Sequence, residues 1–305
     1  LVLVAVLALT GSGCSVLDTI NRLPGTIAGT SDKQTADYTD PAQMTAALQT
    51  LKDSLKGDSS VYFVSMGKET AEAYTLATAV EVRNGKAGTL APALVTRLPV
   101  AAKGLPLDSF DPAAARTRLS AEAEKRGCQG IERVTLVLAA TGKMLSELTC
   151  SLNGERVDLV EGPNGKVVDE VDLTTKEGLV AAVGDVLAVN VPGARYTVFA
   201  VQYNTSRGVP SVLTVAGRVS TIRSSRTTSE LPTLSQTNTG VDPVAKDFDI
   251  TGITAQTFAT VYDAAKKKCG NVDTMALALA TDGSVRFLSG TFSCPYTADR
   301  TGKPI

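Results

Sequence analysis

Cysteine is the residue type whose spacing in this chain carries the clearest chemistry. Five are present, Cys14, Cys128, Cys150, Cys269 and Cys294, and there is no histidine. Without imidazole the chain can build no Ser-His-Asp or Cys-His centre and no His-bearing zinc site. Setting Cys14 aside leaves an even set, with Cys128 and Cys150 separated by 22 residues and Cys269 and Cys294 by 25. Neither gap is the C-x-x-C spacing of a redox or zinc motif, which leaves covalent bridging in an oxidising compartment as the chemistry of these four thiols. Four cysteines allow three connectivities.

The other reactive groups are sparser. Ser65 and Lys68 stand in the S-x-x-K spacing of penicillin-recognising serine enzymes, but the companion Ser-Asp-Asn motif is missing. Glu155, Asp158, Glu161, Asp169, Glu170 and Asp172 crowd one segment without the D-x-[DN]-x-[DN]-G order of a calcium loop, so they read as a solvated connection. Arg218, Arg223 and Arg226 lie among Ser and Thr, where they either protect a strand edge or meet an anionic envelope polymer. Lys266, Lys267 and Lys268 sit where the end of a helix favours cations. No glycine-rich phosphate loop and no metal-ligand cluster is present, so no cofactor is expected. Thirty basic against 31 acidic residues give a net charge of −1, which removes the electrostatic argument for a nucleic-acid partner.

The chain opens LVLVAVLALT, an apolar run far short of the roughly 20 residues of a membrane-spanning helix but of signal-peptide length. Gly11-Ser12-Gly13-Cys14-Ser15 follows. Small residues running into a single Cys behind an apolar run resemble the lipobox of bacterial lipoproteins, with Gly11 where a Leu is usual. The resemblance implies that residues 1–13 are a truncated signal peptide, cut before Cys14, and that Cys14 carries the lipid. The protein would then be anchored on the extracytoplasmic side of the cell membrane. Two or more acyl chains give stable anchoring where one is marginal.

The elements that position the other four cysteines come from an internal repeat. LVLAATG (136–142) followed by MLSELTC (144–150) parallels LALATDG (277–283) followed by FLSGTFSC (287–294). Each reads as an apolar strand, a Gly turn and a returning strand ending in Cys. Ahead of each lies a helical pattern, 111–127 opening on Asp111-Pro112 and 254–270 opening on Thr254, both stopping at Gly. The same order recurs without cysteines: a helix over 40–57, from Asp40-Pro41, precedes strands 61–66 and 73–82. A second, with Thr174 and Glu177 as a capping box ahead of 178–189, precedes strands 196–203 and 211–219. The repeat selects Cys128–Cys150 and Cys269–Cys294 as the bridges, each closing the open end of a hairpin.

The expected fold is α+β and tandemly duplicated, each half two helix–strand–strand units forming an antiparallel sheet with helices on one face. The expected order is a tether over 14–39, a first repeat over 40–155, a linker over 156–173 and a second repeat over 174–305, with 84–110 and 224–247 as long connections. That plan is similar to the tandem-repeat beta-lactamase inhibitor proteins and to small envelope lipoproteins that scaffold assembly machines. The resemblance implies a binding role towards an envelope protein. The function expected is therefore a lipid-anchored envelope binding or scaffolding lipoprotein without catalytic activity. A carrier of an apolar ligand or lipid, and a carboxylate- or Ser/Lys-dependent hydrolase, are the alternatives.

Overall fold

A computed structural model of the chain describes residues 36–56, 60–90, 103–203, 209–217, 221–229, 231–239 and 246–305. The signal-like run and Cys14 lie outside the described residues. Four α-helices stand among the described residues, each started by the side chain the sequence supplies. In α1 (Pro41–Ser54) Asp40 accepts from the N–H groups of Ala42 and Gln43 at 3.0 and 3.2 Å, and in α2 (Pro112–Lys125) Asp111 accepts from Ala114 at 2.9 Å. Thr254 and Thr257 reciprocally cap α4 (Ala255–Cys269), which stops at Gly270, whose φ of 76° suits a residue without Cβ. The cap of α3 (Lys176–Val189) differs from expectation. Thr175, one residue later than Thr174, accepts from Gly178, while Thr174 donates to Asp172.

Strands β1 (Val61–Gly67), β2 (Thr70–Thr75), β3 (Ala79–Arg83) and β4 (Lys86–Leu90) follow α1, and β5 (Gln129–Leu138), β6 (Met144–Leu152) and β7 (Glu155–Glu161) follow α2. The antiparallel order is β4-β3-β2-β1-β5-β6-β7. After α3 come β8 (Arg195–Gln202), β9 (Ser211–Ala216), β10 (Thr221–Thr227), β11 (Leu234–Thr239) and β12 (Phe248–Asp249). After α4 come β13 (Thr274–Leu279), β14 (Val285–Thr291) and β15 (Cys294–Ala298). Their order, β11-β10-β9-β8-β13-β14-β15, repeats the first sheet strand for strand, with β12 added beside β8.

The fold is α+β and built twice, but each copy is helix, four strands, helix, three strands, with the short β12 added in the second, rather than two helix–strand–strand units. The continuous strand expected over 73–82 is two strands, because Thr75 folds its hydroxyl onto the N–H groups of Ala77 and Thr78 and turns the chain. The acidic segment is not a linker throughout: residues 155–161 are β7, and the connection between copies begins after Glu161. Part of the expected loop 224–247 is β10 and β11, and part of 84–110 is β4.

Alternate strand residues set the layers. Val64, Met66, Ala71, Ala73, Val80, Val82, Val134 and Leu136 share a core with Met44, Ala47 and Leu51 of α1 and Ala115 of α2. Leu119 and Ala123 of α2 continue it over Leu148 and Leu159. In the second copy Phe199, Val201, Met275, Leu277 and Phe287 meet Leu179, Val183 and Val186 of α3 and Phe258 and Tyr262 of α4. Both helices of a copy therefore cover the same face of its sheet.

The copies join at a buried polar knot. Gln236 accepts from the Ala140 N–H of the first copy at 2.8 Å and donates to Val189 O at 2.9 Å and to Ser224 at 3.3 Å. Asn190 accepts from Ser224 and donates to Val186 O and Thr214. Around it Ala139, Leu145 and Val160 of the first copy enter the apolar core of the second. Gln236→Ala strands the Ala140 N–H and should lower unfolding stability by about 1–3 kcal/mol in urea titration.

Candidate functional site

The residues singled out from the sequence separate. Cys128 and Cys150 are bonded with Cα atoms 5.9 Å apart, and Cys269 and Cys294 with Cα atoms 5.7 Å apart, both within disulfide reach. The bridges are not equivalent, contrary to a hairpin staple in each copy. Cys150 lies inside β6, whereas Cys294 opens β15, so the second bridge ties the end of α4 to the last strand.

Ser65 and Lys68 are placed on different sides of the first sheet. Ser65 is buried on the helix-free face, 3.3 Å from the Thr135 hydroxyl and accepting from Arg133 at 3.3 Å, while Lys68 lines a cleft on the helix side. Arg218 lies outside the described residues. Arg226, 1% exposed, is ion-paired with Asp185 at 3.1 Å and donates to the Asp169 and Thr227 carbonyls, so it is closed to any external anion. Asp158 accepts from Thr149, Glu161 from Arg118, Asp169 pairs with Arg126, and Asp172 accepts from Thr174. Lys266 and Lys268 stand over the rings of Tyr262 and Tyr296.

What the sequence reading missed is a polar row across the helix-free face of the first sheet. Register places Glu81, Glu72, Ser65, Thr135 and Glu147 side by side on β3, β2, β1, β5 and β6. Tyr74 donates to Glu72 at 2.9 Å, and both are buried. Burial pushes the Glu72 carboxyl above the carboxylate range, against the pull of Arg133. Burial raises Glu147 well above that range, helped by Asp158, and Glu147 Oε1 is closed from solvent with no hydrogen-bond partner. The signal was available as a Glu at an inward period-two position in each of two otherwise small or apolar strands.

Two open surfaces stand out among the described residues. The cleft, about 450 Å³, lies between the start of α1 and the flank of α2, and its lining includes Lys68 and Arg116. The helix-free face of the second sheet carries Val198, 37% exposed, with part-exposed Ala200, Leu213, Val215, Ala276 and Leu288 in adjoining register. The raised carboxyls line neither, and among the described residues no group of three or more acids and cysteines could hold a metal ion. No known protein family, curated protein or solved structure matches the chain.

A carboxyl with a folded-state pKa above its unfolded one binds its proton more tightly in the folded chain. The stability it lends is whole below about 4.5 and drains away as pH climbs through the raised value. Glu147→Gln should therefore stabilise the protein at pH 7, on the order of 1 kcal/mol, and give no gain at pH 4 in paired urea titrations.

Proposed function

We propose that this protein is a non-catalytic binding module of the bacterial cell envelope. In this reading it is held on the extracytoplasmic side of the membrane by lipid on Cys14, and it engages a protein partner through the helix-free face of its second sheet. One observation carries the reading: the two copies share a strand order but not a surface. In the first sheet that face is closed, with Phe63, Ser65, Glu72, Tyr74 and Thr135 all buried. In the second, the equivalent strands leave Val198, Leu213, Val215 and Leu288 in contact with water. A contiguous apolar face left in water costs solubility and marks an interaction surface.

The chemistry of the face suggests the partner. Its side chains are mostly small or branched, with two part-buried cations at its flanks: Arg223 on β10, opposite Val215, and Arg286 on β14, which is ion-paired with Asp282. A folded protein presenting small apolar side chains and one carboxylate towards Arg223 fits it. The separation of the raised carboxyls from both open surfaces favours binding over hydrolysis, since a general acid must reach its substrate.

The test has two arms. Photo-crosslinkers placed at Val198 or Leu213 in intact cells should trap one protein, while the same group at Gln49 on α1 should not. Purified partner should then bind Val198→Asp at least about tenfold more weakly than the parent, at unchanged melting temperature. Equal trapping from both faces, or binding indifferent to Val198→Asp, would overturn the docking face. A stoichiometric lipid in organic extracts, with no trapped protein, would favour the carrier instead. Metabolic labelling with an alkyne fatty acid should mark the parent chain but not Cys14→Ser.

A further inference from the structure

The cleft beside α2 lies in the first copy, away from the proposed docking face. In the second copy α3 and α4 pack on each other extensively, with Leu179, Val183, Phe258 and Tyr262 in one core. In the first copy α1 and α2 barely meet. Beside the apolar stripe of α2 (Ala115, Leu119 and Ala123) runs a polar one, Arg116, Ser120 and Glu124, at helical spacing. That polar stripe forms one wall of the cleft, which is floored by Ile131 and the Cys128–Cys150 bridge and bounded by Lys68 and by Asp37 and Thr39 ahead of α1.

The charges of the cleft are unevenly used. Asp37 accepts from the Thr39 N–H at 3.0 Å and its hydroxyl at 2.6 Å, which commits that carboxylate to the turn before α1. Arg116 and Lys68 make no ion pair among the described residues, and Arg116 Nε is closed from solvent without an acceptor. Glu124 sits two turns along the helix, about 12 Å of rise away. With Nε enclosed, the terminal guanidinium nitrogens are the donors left for a ligand, and an oxyanion in the cleft that accepts from both of them would pair the charge.

We propose that this cleft binds a small organic oxyanion. Its carboxylate or phosphate sits in the fork of Arg116 with Lys68 as second cation, and its apolar body rests on Ile131 and the disulfide. The volume suits such a ligand. The hydroxyls of Ser120 and Thr39, which also line the space, already donate to the Arg116 carbonyl and to Asp37 at 2.6 Å each, so the two cations carry the recognition.

The probes are phenyl phosphate, benzoate and inorganic phosphate, titrated calorimetrically into the purified chain. Saturable binding of phenyl phosphate or benzoate, stronger than that of inorganic phosphate, is expected, and the stronger of the first two names the headgroup. Arg116→Lys keeps the charge but loses the fork, and should weaken binding about tenfold; Lys68→Ala should weaken it severalfold, and Glu124→Gln should not weaken it. Melting without ligand reports whether each variant folds. No saturable binding of any probe at about 10 mM, well above weak-complex dissociation constants, would overturn the proposal. So would affinity equal to the parent's in Arg116→Lys.

Discussion

The antiparallel ladder between the first strand of the four-strand meander and the first strand of the three-strand meander is the constraint on which both copies rest. In the first copy it joins β1 to β5, Phe63 opposite Val137 through Gly67 opposite Arg133; in the second it joins β8 to β13, Val201 opposite Met275. Each meander alone is a local hairpin series. The ladder makes them one seven-stranded surface, and it forms only if the intervening helix returns the chain across the sheet. Long-range pairing of this kind is entropically costly, and burial of Phe63, Val64, Met66 and Leu136 at the ladder offsets it.

That shared ladder makes the divergence of the copies informative. Where the first sheet opposes Ser65 to Thr135 and ranks Glu72 and Glu147 beside them, the second opposes Ala200 to Ala276 between Leu213 and Leu288. One face is closed and polar, the other open and apolar. The helix side diverges in the opposite sense. Phe258 and Tyr262 join α4 to the core that α3 shares, while Arg116, Ser120 and Glu124 of α2 line a cleft. The cleft and the open apolar face thus lie in different copies, on opposite kinds of side. The knot at Gln236 holds the two open sides in one body.

Much of this architecture was legible because its determinants are local. Asp-Pro starts, Gly stops, two Gly-turned hairpins and evenly spaced cysteines act within a few residues and mark helices, strands and the duplication directly. The rest depends on partners distant in sequence. β7 read as a connection because Asp158 and Glu161 look solvated until Thr149 and Arg118 are set against them. β10 and β11 read as loop because Ser224, Arg226 and Gln236 are hydrophilic, although each is buried in hydrogen bonds to α3 or its ends. The carboxyl row is a property of register across five strands, and the cleft gathers residues from the segment before α1, the β1–β2 turn, α2 and the start of β5. Neither has a linear signature.

The account stands on one block of topology used twice, and nuclear Overhauser contacts between backbone protons of the isotopically labelled chain test it most directly. Cross-strand contacts should link Ser65 with Thr135 and Met66 with Val134, and, independently, Val201 with Met275 and Ala200 with Ala276. Both sets must be present together. If β5 or β13 instead showed contacts only to its hairpin neighbour, the meanders would be separate sheets, and the comparison of open and closed faces would lose its basis.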